Sequence, residues 1–251
     1  MVLVADVGNS HTVLGLFEGA SLVDRWRITT GGRTGDELGL LLTQLLAARA
    51  EGVEALVACT VVPSAVRPLR EAAERYLRAP LRLLESTADL GFDVRVSVRE
   101  EVGVDRLVNV IAARTRIAPP FLVVDLGTAT TFDCVAADGA FVGGAIAPGP
   151  GMLVDALGTR TARLPRVELA PPGHAVGTST RDAMRSGLFW GYVGLVDGLV
   201  ARCRTELGGQ ARCVATGGLA ATFAPFCTGI DEVDPDLTLH GLRTWYTQGS
   251  R

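Results

Sequence analysis

Residues 2–17, Val-Leu-Val-Ala-Asp-Val-Gly-Asn-Ser-His-Thr-Val-Leu-Gly-Leu-Phe, constrain the fold of this chain more than any other stretch. An apolar run leads into Asp6, Gly8, Asn9 and Ser10 follow, and from Thr12 onward the apolar run resumes. The pattern predicts a buried strand, a tight turn and a second strand folding back beside the first. An acid at a strand end, followed by glycine and small hydroxyl residues, suits a phosphate and its metal. Glycine lets the backbone approach closely, so that amide N–H groups can point at phosphate oxygens. The pattern returns at 121–135, Phe-Leu-Val-Val-Asp-Leu-Gly-Thr-Ala-Thr-Thr-Phe-Asp-Cys-Val. Asp125 stands where Asp6 stood, Gly127 where Gly8 stood and Thr128 where Asn9 stood. The second copy follows the first by nearly half the chain, which implies a duplicated fold with a nucleotide between its halves. Taken alone, either motif reads equally as an ordinary hairpin with turn-forming Asp and Gly.

The chain has 251 residues, enough for two small domains or one large α/β unit. With 48% hydrophobic and 20% charged residues it can bury a sizeable core. A formal net charge of −3 gives no reason to expect nucleic-acid binding. All 24 basic residues are Arg, and a Walker-type P-loop requires Gly-Lys-Ser/Thr, so that class is excluded. Phosphate charge must then be met by backbone amides, Arg or metal ions. Cys59, Cys134, Cys203, Cys213 and Cys227 include no CxxC spacing, which points to buried thiols in a reducing cytosol rather than zinc. Asp6 breaks the N-terminal apolar run, and no apolar stretch reaches the ~18 residues of a membrane span, so a cytoplasmic chain without membrane association is expected.

In chain order, Ser21–Ile28 alternates as a third strand. A helix is expected over 36–50, capped by Asp36 and carrying a core stripe of Leu38, Leu41, Leu42, Leu45 and Leu46. A strand over 54–59, a helix over 64–78 and a strand over 81–85 follow. This βββαβα order is one half of an RNase H-like unit, the building block of actin-like ATPases. Residues 86–103 read as loop, 106–116 as helix, and Pro119-Pro120 as the boundary. Two domains follow, 1–118 and 119–251. In the second, the Asp125 hairpin leads to Gly143–Gly151, where small and turn residues imply close backbone packing or close ligand approach. Helices are expected over 151–159 and from 178 to about 207, the latter with hydroxyl N-cap candidates in an anion-attracting first turn. Cys213–Ala215 reads as a strand, Thr216-Gly217-Gly218 as a turn opening a helix, and 234–246 as a final loop and helix.

Six segments now stand in a telling order: Asp6-Val-Gly-Asn-Ser-His-Thr, Gly103-Val-Asp-Arg106, Asp125-Leu-Gly-Thr-Ala-Thr-Thr, Gly143-Gly-Ala-Ile-Ala-Pro-Gly149, Thr159-Arg-Thr-Ala-Arg-Leu-Pro165 and Thr216-Gly-Gly218. Together they resemble the type III pantothenate kinases, actin-like-fold enzymes that begin coenzyme A synthesis, and the match runs on to Leu237–Leu242. The Gly-x-Asp-Arg element together with Gly-Gly-x-Ile-x-Pro-Gly carries the family specificity. The resemblance implies an ATP-dependent phosphorylation of pantothenate to 4′-phosphopantothenate by a homodimer. It implies that Asp6, Gly8, Asn9, Ser10, His11, Thr12 and Val13 hold the ATP phosphates, with Asp6 near Mg²⁺ through water. Gly127 and Thr128 would close on the phosphates, Asp125 would bind K⁺ or NH₄⁺, and Thr216, Gly217 and Gly218 would lie near the adenosine. Gly103, Val104, Asp105, Arg106 and Val96 would hold pantothenate, with Thr180 reaching it across the dimer interface. Asp105 matches the family's general base, since a primary alcohol must lose its proton as it attacks the γ-phosphorus.

Each role has a plainer alternative in the residues themselves. Asp105-Arg106 alone reads as a helix-start acid beside a solvated Arg, Arg106 as a structural ion pair, Thr180 as a helix cap, and Asn9 and Ser10 as turn residues. The chain departs from the family at Val96, where Tyr is usual, at Arg99, where Pro is usual, and at His11, where Asn is common. A non-catalytic, ATP-binding regulatory relative of the same family is the competing function. An actin-like phosphatase, chaperone ATPase or sugar kinase would be expected to be larger.

Overall fold

The computed structural model describes residues 1–85, 90–160 and 167–249. They divide into two compact units: Met1–Gly91 with Ser97–Arg116 and Leu237–Arg251, and Phe92–Val96 with Ile117–Asp236. From Thr161 on, the Thr159–Pro165 motif lies outside the described residues.

The first unit is built on β1 (Val2–Val7), β2 (His11–Glu18) and β3 (Ser21–Thr29), a meander of antiparallel strands. Helix α1 (Gly35–Leu46) then crosses to β4 (Ala55–Thr60), which lies parallel to β1 on its other side. Helix α2 (Val66–Ala72) leads to β5 (Leu81–Leu83), parallel to β4. The helix expected over 64–78 opens as a 3-10 turn at Pro63–Ala65 and closes as a π turn at Ala73–Leu77. The sheet order is β3-β2-β1-β4-β5. Side chains alternate across it with period two. Leu3, Ala5 and Val7 face a core shared with Leu38, Leu42 and Leu46 of α1 and Leu69 and Ala72 of α2.

Thr34, not Asp36, caps α1. Its hydroxyl accepts from the Glu37 N–H at 3.2 Å while Glu37 Oε2 accepts from the Thr34 N–H at 2.8 Å, a complete capping box. Asp36 instead accepts from Arg75 at 2.6 Å and from the Tyr76 hydroxyl at 2.9 Å. Helix α3 (Val104–Arg114) follows, one residue pair earlier than its sequence pattern implied, because Gly103 serves as the N-cap residue.

The second unit repeats the plan. β6 (Phe121–Leu126), β7 (Ala129–Val135) and β8 (Phe141–Pro148) form an antiparallel meander. Helices α4 (Pro150–Arg160) and α5 (Thr180–Glu206) precede β9 (Arg212–Thr216), which runs parallel to β6. The short α6 (Ala220–Phe223) leads to β10 (Glu232–Val233), and the sheet order is β10-β9-β6-β7-β8. The core joins Leu122, Val124, Leu126 and Phe132 to Phe189, Tyr192, Val196 and Val200 of α5. β8 is a full strand across the small and turn residues whose sequence implied close packing or close ligand approach. Its Gly143, at φ +102°, lies beside the register shift between Cys134 and Val135. Residues 92–96 run along β8, with Arg95 N–H donating to Phe141 O at 2.8 Å and Phe141 N–H to Asp93 O at 2.9 Å.

Helix α7 (Leu237–Gly249) returns to the first unit and packs on α3. Thr238 Oγ1 donates to the buried Asn109 Oδ1 at 2.7 Å. No described helix is long and apolar enough to cross a membrane.

The α3–α7 contact rests on Gly241, where an added Cβ would lie 2.2 Å from Val108 O and 2.7 Å from its Cγ1. Gly241→Ala should therefore lose about 1–3 kcal/mol, as overpacking against backbone does. Gly187→Ala, on α5 with nothing within 4 Å of the new Cβ, should gain up to about 1 kcal/mol from helix propensity. Urea-unfolding midpoints of the two variants should move in opposite directions.

Candidate active site

In the first unit the register sets one row of side chains across the sheet. Asp6 pairs with Cys59 on β4 and with Val13 on β2, and Val13 pairs with Arg27 on β3. Paired residues share a face, so Cys59, Asp6, Val13 and Arg27 all project opposite to the α1–α2 core. Asp6 is half-buried, and Cys59 Sγ–H donates to its Oδ1 at 3.5 Å. Burial, with the charge of Asp105 added, pushes the Asp6 carboxyl up to about 7, against the weaker opposing pull of the Cys59 bond. Burial and the two nearby carboxylates likewise push the Cys59 thiol well up, so it stays protonated and serves as a donor.

The turn after Asp6 closes through a Gly8 N–H bond to His11 O at 3.1 Å. A Cβ at Gly8 would stand 3.2 Å from that oxygen, which is why the tightest point of the turn is glycine. Asn9 and Ser10 lie exposed at the tip, and Ser10 O accepts from Thr30 N–H at 3.0 Å. Thr12 is buried on the opposite face, its hydroxyl 2.8 Å from Thr30 Oγ1, so that hydroxyl is committed to the fold. His11 is exposed, and its Nδ1 lies 3.0 Å from Arg27 Nη2.

Asp105 stands in the first turn of α3. Its Oδ1 accepts from the Arg106 N–H at 2.9 Å. A side chain at Gly103 would bring Cβ within 2.5 Å of the same Oδ1, so glycine leaves room for the carboxylate to lie over the helix start. Burial raises the Asp105 pKa, opposed by the Arg106 N–H bond and the Arg106 charge. A pocket of about 480 Å³ opens beside Gly103 and Val104 and reaches Thr60, Leu84, Glu85 and Glu100. The structure thus brings Asp6, the 8–13 turn and Gly103–Arg106 together in one unit.

Asp125 occupies on β6 the place that Asp6 has on β1, the fifth residue of a six-residue strand. Its row holds Thr216 on β9 and Thr131 on β7. The turn closes through Gly127 N–H to Ala129 O at 3.1 Å, with Thr128 exposed. Two glycines let backbone converge here. A Cβ at Gly149 would lie 2.4 Å from Gly127 O, and one at Gly217, at φ +94°, would lie 2.7 Å from Leu126 O. The same Gly217 Cβ would lie 2.3 Å from Asp125 Oδ1. Thr216 is buried, and Gly218 is exposed.

Two other sequence-derived residues lie elsewhere in the second unit. Val96 sits against Gly143, and Thr180 is the exposed first residue of α5. The capping role belongs to Ser179, which accepts from the Asp182 N–H at 3.1 Å. Cys59 and Arg27 carry no motif. Only strand register, once known, puts them beside Asp6 and His11.

Comparison with known proteins identifies relatives of nearly the whole chain. A family model described as type III pantothenate kinase matches residues 2–202. The type III pantothenate kinase of Acidothermus cellulolyticus is 44% identical over 247 residues, covering 97% of this chain and 96% of that protein. The Myxococcus xanthus protein of the same name is 44% identical over 250 residues, covering 98% of each. In fold alone, the chain resembles the inorganic polyphosphate/ATP-glucomannokinase of Arthrobacter sp. strain KM, at TM-score 0.55 and 16% identity, over 100% of this chain and 99% of that one. Matched along nearly its whole length, with the acid–glycine turns and the Gly-x-Asp-Arg element in place, the chain belongs to the type III pantothenate kinase family.

Proposed function

We infer that this chain transfers the γ-phosphoryl group of ATP to the primary hydroxyl of pantothenate, giving 4′-phosphopantothenate, the first step of coenzyme A synthesis. The observation that carries the reading is the placing of Asp105, on a helix start, within electrostatic reach of Asp6 beside a phosphate-type turn. Asp105 is the general base. Arg106 N–H holds Oδ1, which leaves Oδ2 to accept the alcohol proton as oxygen attacks phosphorus. Burial raises the basicity of the carboxylate, and the Arg106 N–H and charge oppose that rise. Gly103, Val104 and Arg106, with Val96 and Thr180, are assigned to pantothenate, Thr180 reaching it across a homodimer interface. Val96 lacks the tyrosine hydroxyl usual there, so one polar contact, about 0.5–1.5 kcal/mol, is absent from substrate binding.

ATP phosphates are assigned to the turn Gly8–Val13 and to Gly127 and Thr128, and the adenosine to Thr216–Gly218. The donors suit hard cations. Among the described residues no cluster of three or more ligating side chains exists, so a divalent ion at Asp6 would take its other ligands from phosphate and water, as Mg²⁺ does. Bound there, Mg²⁺ supplies charge neutralisation of the phosphates. Asp125, a hard carboxylate beside the backbone oxygen of Leu126 around Gly217, is assigned to K⁺ or NH₄⁺. This assembly is read as cytoplasmic.

Asp105→Asn should lower kcat by about 10²–10⁴-fold while ATP still binds. A coupled ADP-release assay, run with and without pantothenate and in K⁺ against Na⁺, checks this. ADP release that ignores pantothenate would make the chain an ATPase, and ATP binding without turnover would make it a regulatory relative.

Asp6 gives a second expectation. Its folded-state pKa of about 7 exceeds the ordinary 3.8, so between those values the folded state binds more protons than the unfolded one. Stability of the ligand-free protein should therefore fall as pH rises from about 4 to about 7. Asp6→Asn should shrink that fall, leaving the part that the raised Asp105 pKa contributes, and raise stability at pH 8 by up to roughly 4 kcal/mol, while abolishing activity. Urea titrations of both proteins at pH 5 and pH 8 decide it.

A further inference from the structure

The chain has no lysine, so no lysine ammonium can meet the phosphate charge that a P-loop lysine meets. One guanidinium stands where it could. Arg27 projects from the exposed side of β3, in the same row and on the same face as Asp6. Two strand spacings, roughly 10 Å, separate their backbones, and the two do not pair with each other. Among the described residues no carboxylate pairs with Arg27, and its one recorded partner is His11, whose backbone oxygen closes the turn. Arg33, the other basic residue near this turn, is instead bonded to Thr29 O and lies beside Glu37.

The Arg27–His11 bond has a fixed sense. A guanidinium has five N–H donors and no acceptor, so Nδ1 of His11 must accept. The ring is then neutral with its proton on Nε2, and it presents an N–H donor away from Arg27. Arg27 gives one donor to His11 at 3.0 Å and keeps the rest of its fork, the geometry that matches two phosphate oxygens.

Building on the assignment of ATP to this turn, we propose that Arg27 and His11 form a joint phosphate clamp. Arg27 supplies the cationic, bidentate contact to the terminal phosphates of ATP, and it orients His11 as an Nε2–H donor to the same group. Arg27 binds substrate, and through His11 it is also a positioning residue.

The test compares Arg27→Gln, Arg27→Lys, His11→Asn and the Arg27→Gln/His11→Asn double variant, with thermal unfolding as the check on folding. Both side chains are exposed, so unfolding temperatures should match the parent. Arg27→Gln should raise KM for ATP on the order of 10- to 100-fold, the value of a charge-assisted contact. KM for pantothenate should hold, and so should the affinity for AMP, which lacks the terminal phosphates. Arg27→Lys should recover part of the loss, because charge returns without the fork. His11→Asn should cost a few-fold alone and almost nothing in the Arg27→Gln background, since Arg27 orients it. An unchanged KM for ATP in an active Arg27→Gln enzyme overturns the clamp, as does an equal loss for AMP. A parent protein that binds ATP and AMP alike but never phosphorylates pantothenate overturns the kinase reading instead, and the same ATP-against-AMP binding comparison still judges the clamp.

Discussion

Each half of this molecule depends on one six-residue strand buried on both faces. β1 and β6 are each central in a five-stranded sheet, flanked by an antiparallel neighbour on one side and a parallel one on the other. Such strands must be almost wholly apolar, and both are, except at the fifth residue. Asp6 and Asp125 are thus acids at the one point where the strand ends and water or a ligand can reach it. Because pairing also fixes which side chains share a face, the neighbours of each acid are set by register. Asp6 has a thiol and a guanidinium in its row, whereas Asp125 has two threonines.

That difference separates the chemistry of two halves built alike. Cys59 is a weak donor, and it offsets little of what burial and Asp105 do to Asp6. The result is a carboxyl held up to about 7, a group that gains from a cation nearby. Around Asp125 the neighbours are oxygens and glycines. Gly149 and Gly217 remove the side chains that would block backbone convergence on the turn. The first acid is set by burial and a neighbouring charge, the second by close-packed backbone.

Much of this was legible in the sequence, because it is local. The two hairpins follow from an apolar run, an acid, a glycine and a second apolar run, and α1 follows from a leucine stripe of helical period. What was not legible is relational. Asp36 looked like a cap, yet Thr34 has Glu37 three residues on, and only the pair makes a capping box. β8 was obscured because Gly143 and Gly144 erase the alternation that marks a strand. The return of α7 to the first unit depends on a bare glycine meeting Val108 across 133 positions of chain, which no window of sequence displays. Arg27 belongs to an unremarkable alternating strand, and it becomes a neighbour of the phosphate-type turn only through two successive strand pairings.

The same logic distinguishes the two acids of the first unit. Asp105 and Asp6 are both carboxyls with raised pKa, but they are raised differently. Asp105 has an N–H and a cation set against its burial, which hold its rise in check. Asp6 has only a thiol, with the Asp105 charge working against it, so near neutrality it is divided between its two forms. A proton on Asp6 relieves its repulsion of Asp105. The fold thereby avoids holding two buried carboxylate charges close together, which is the condition such a site can least sustain.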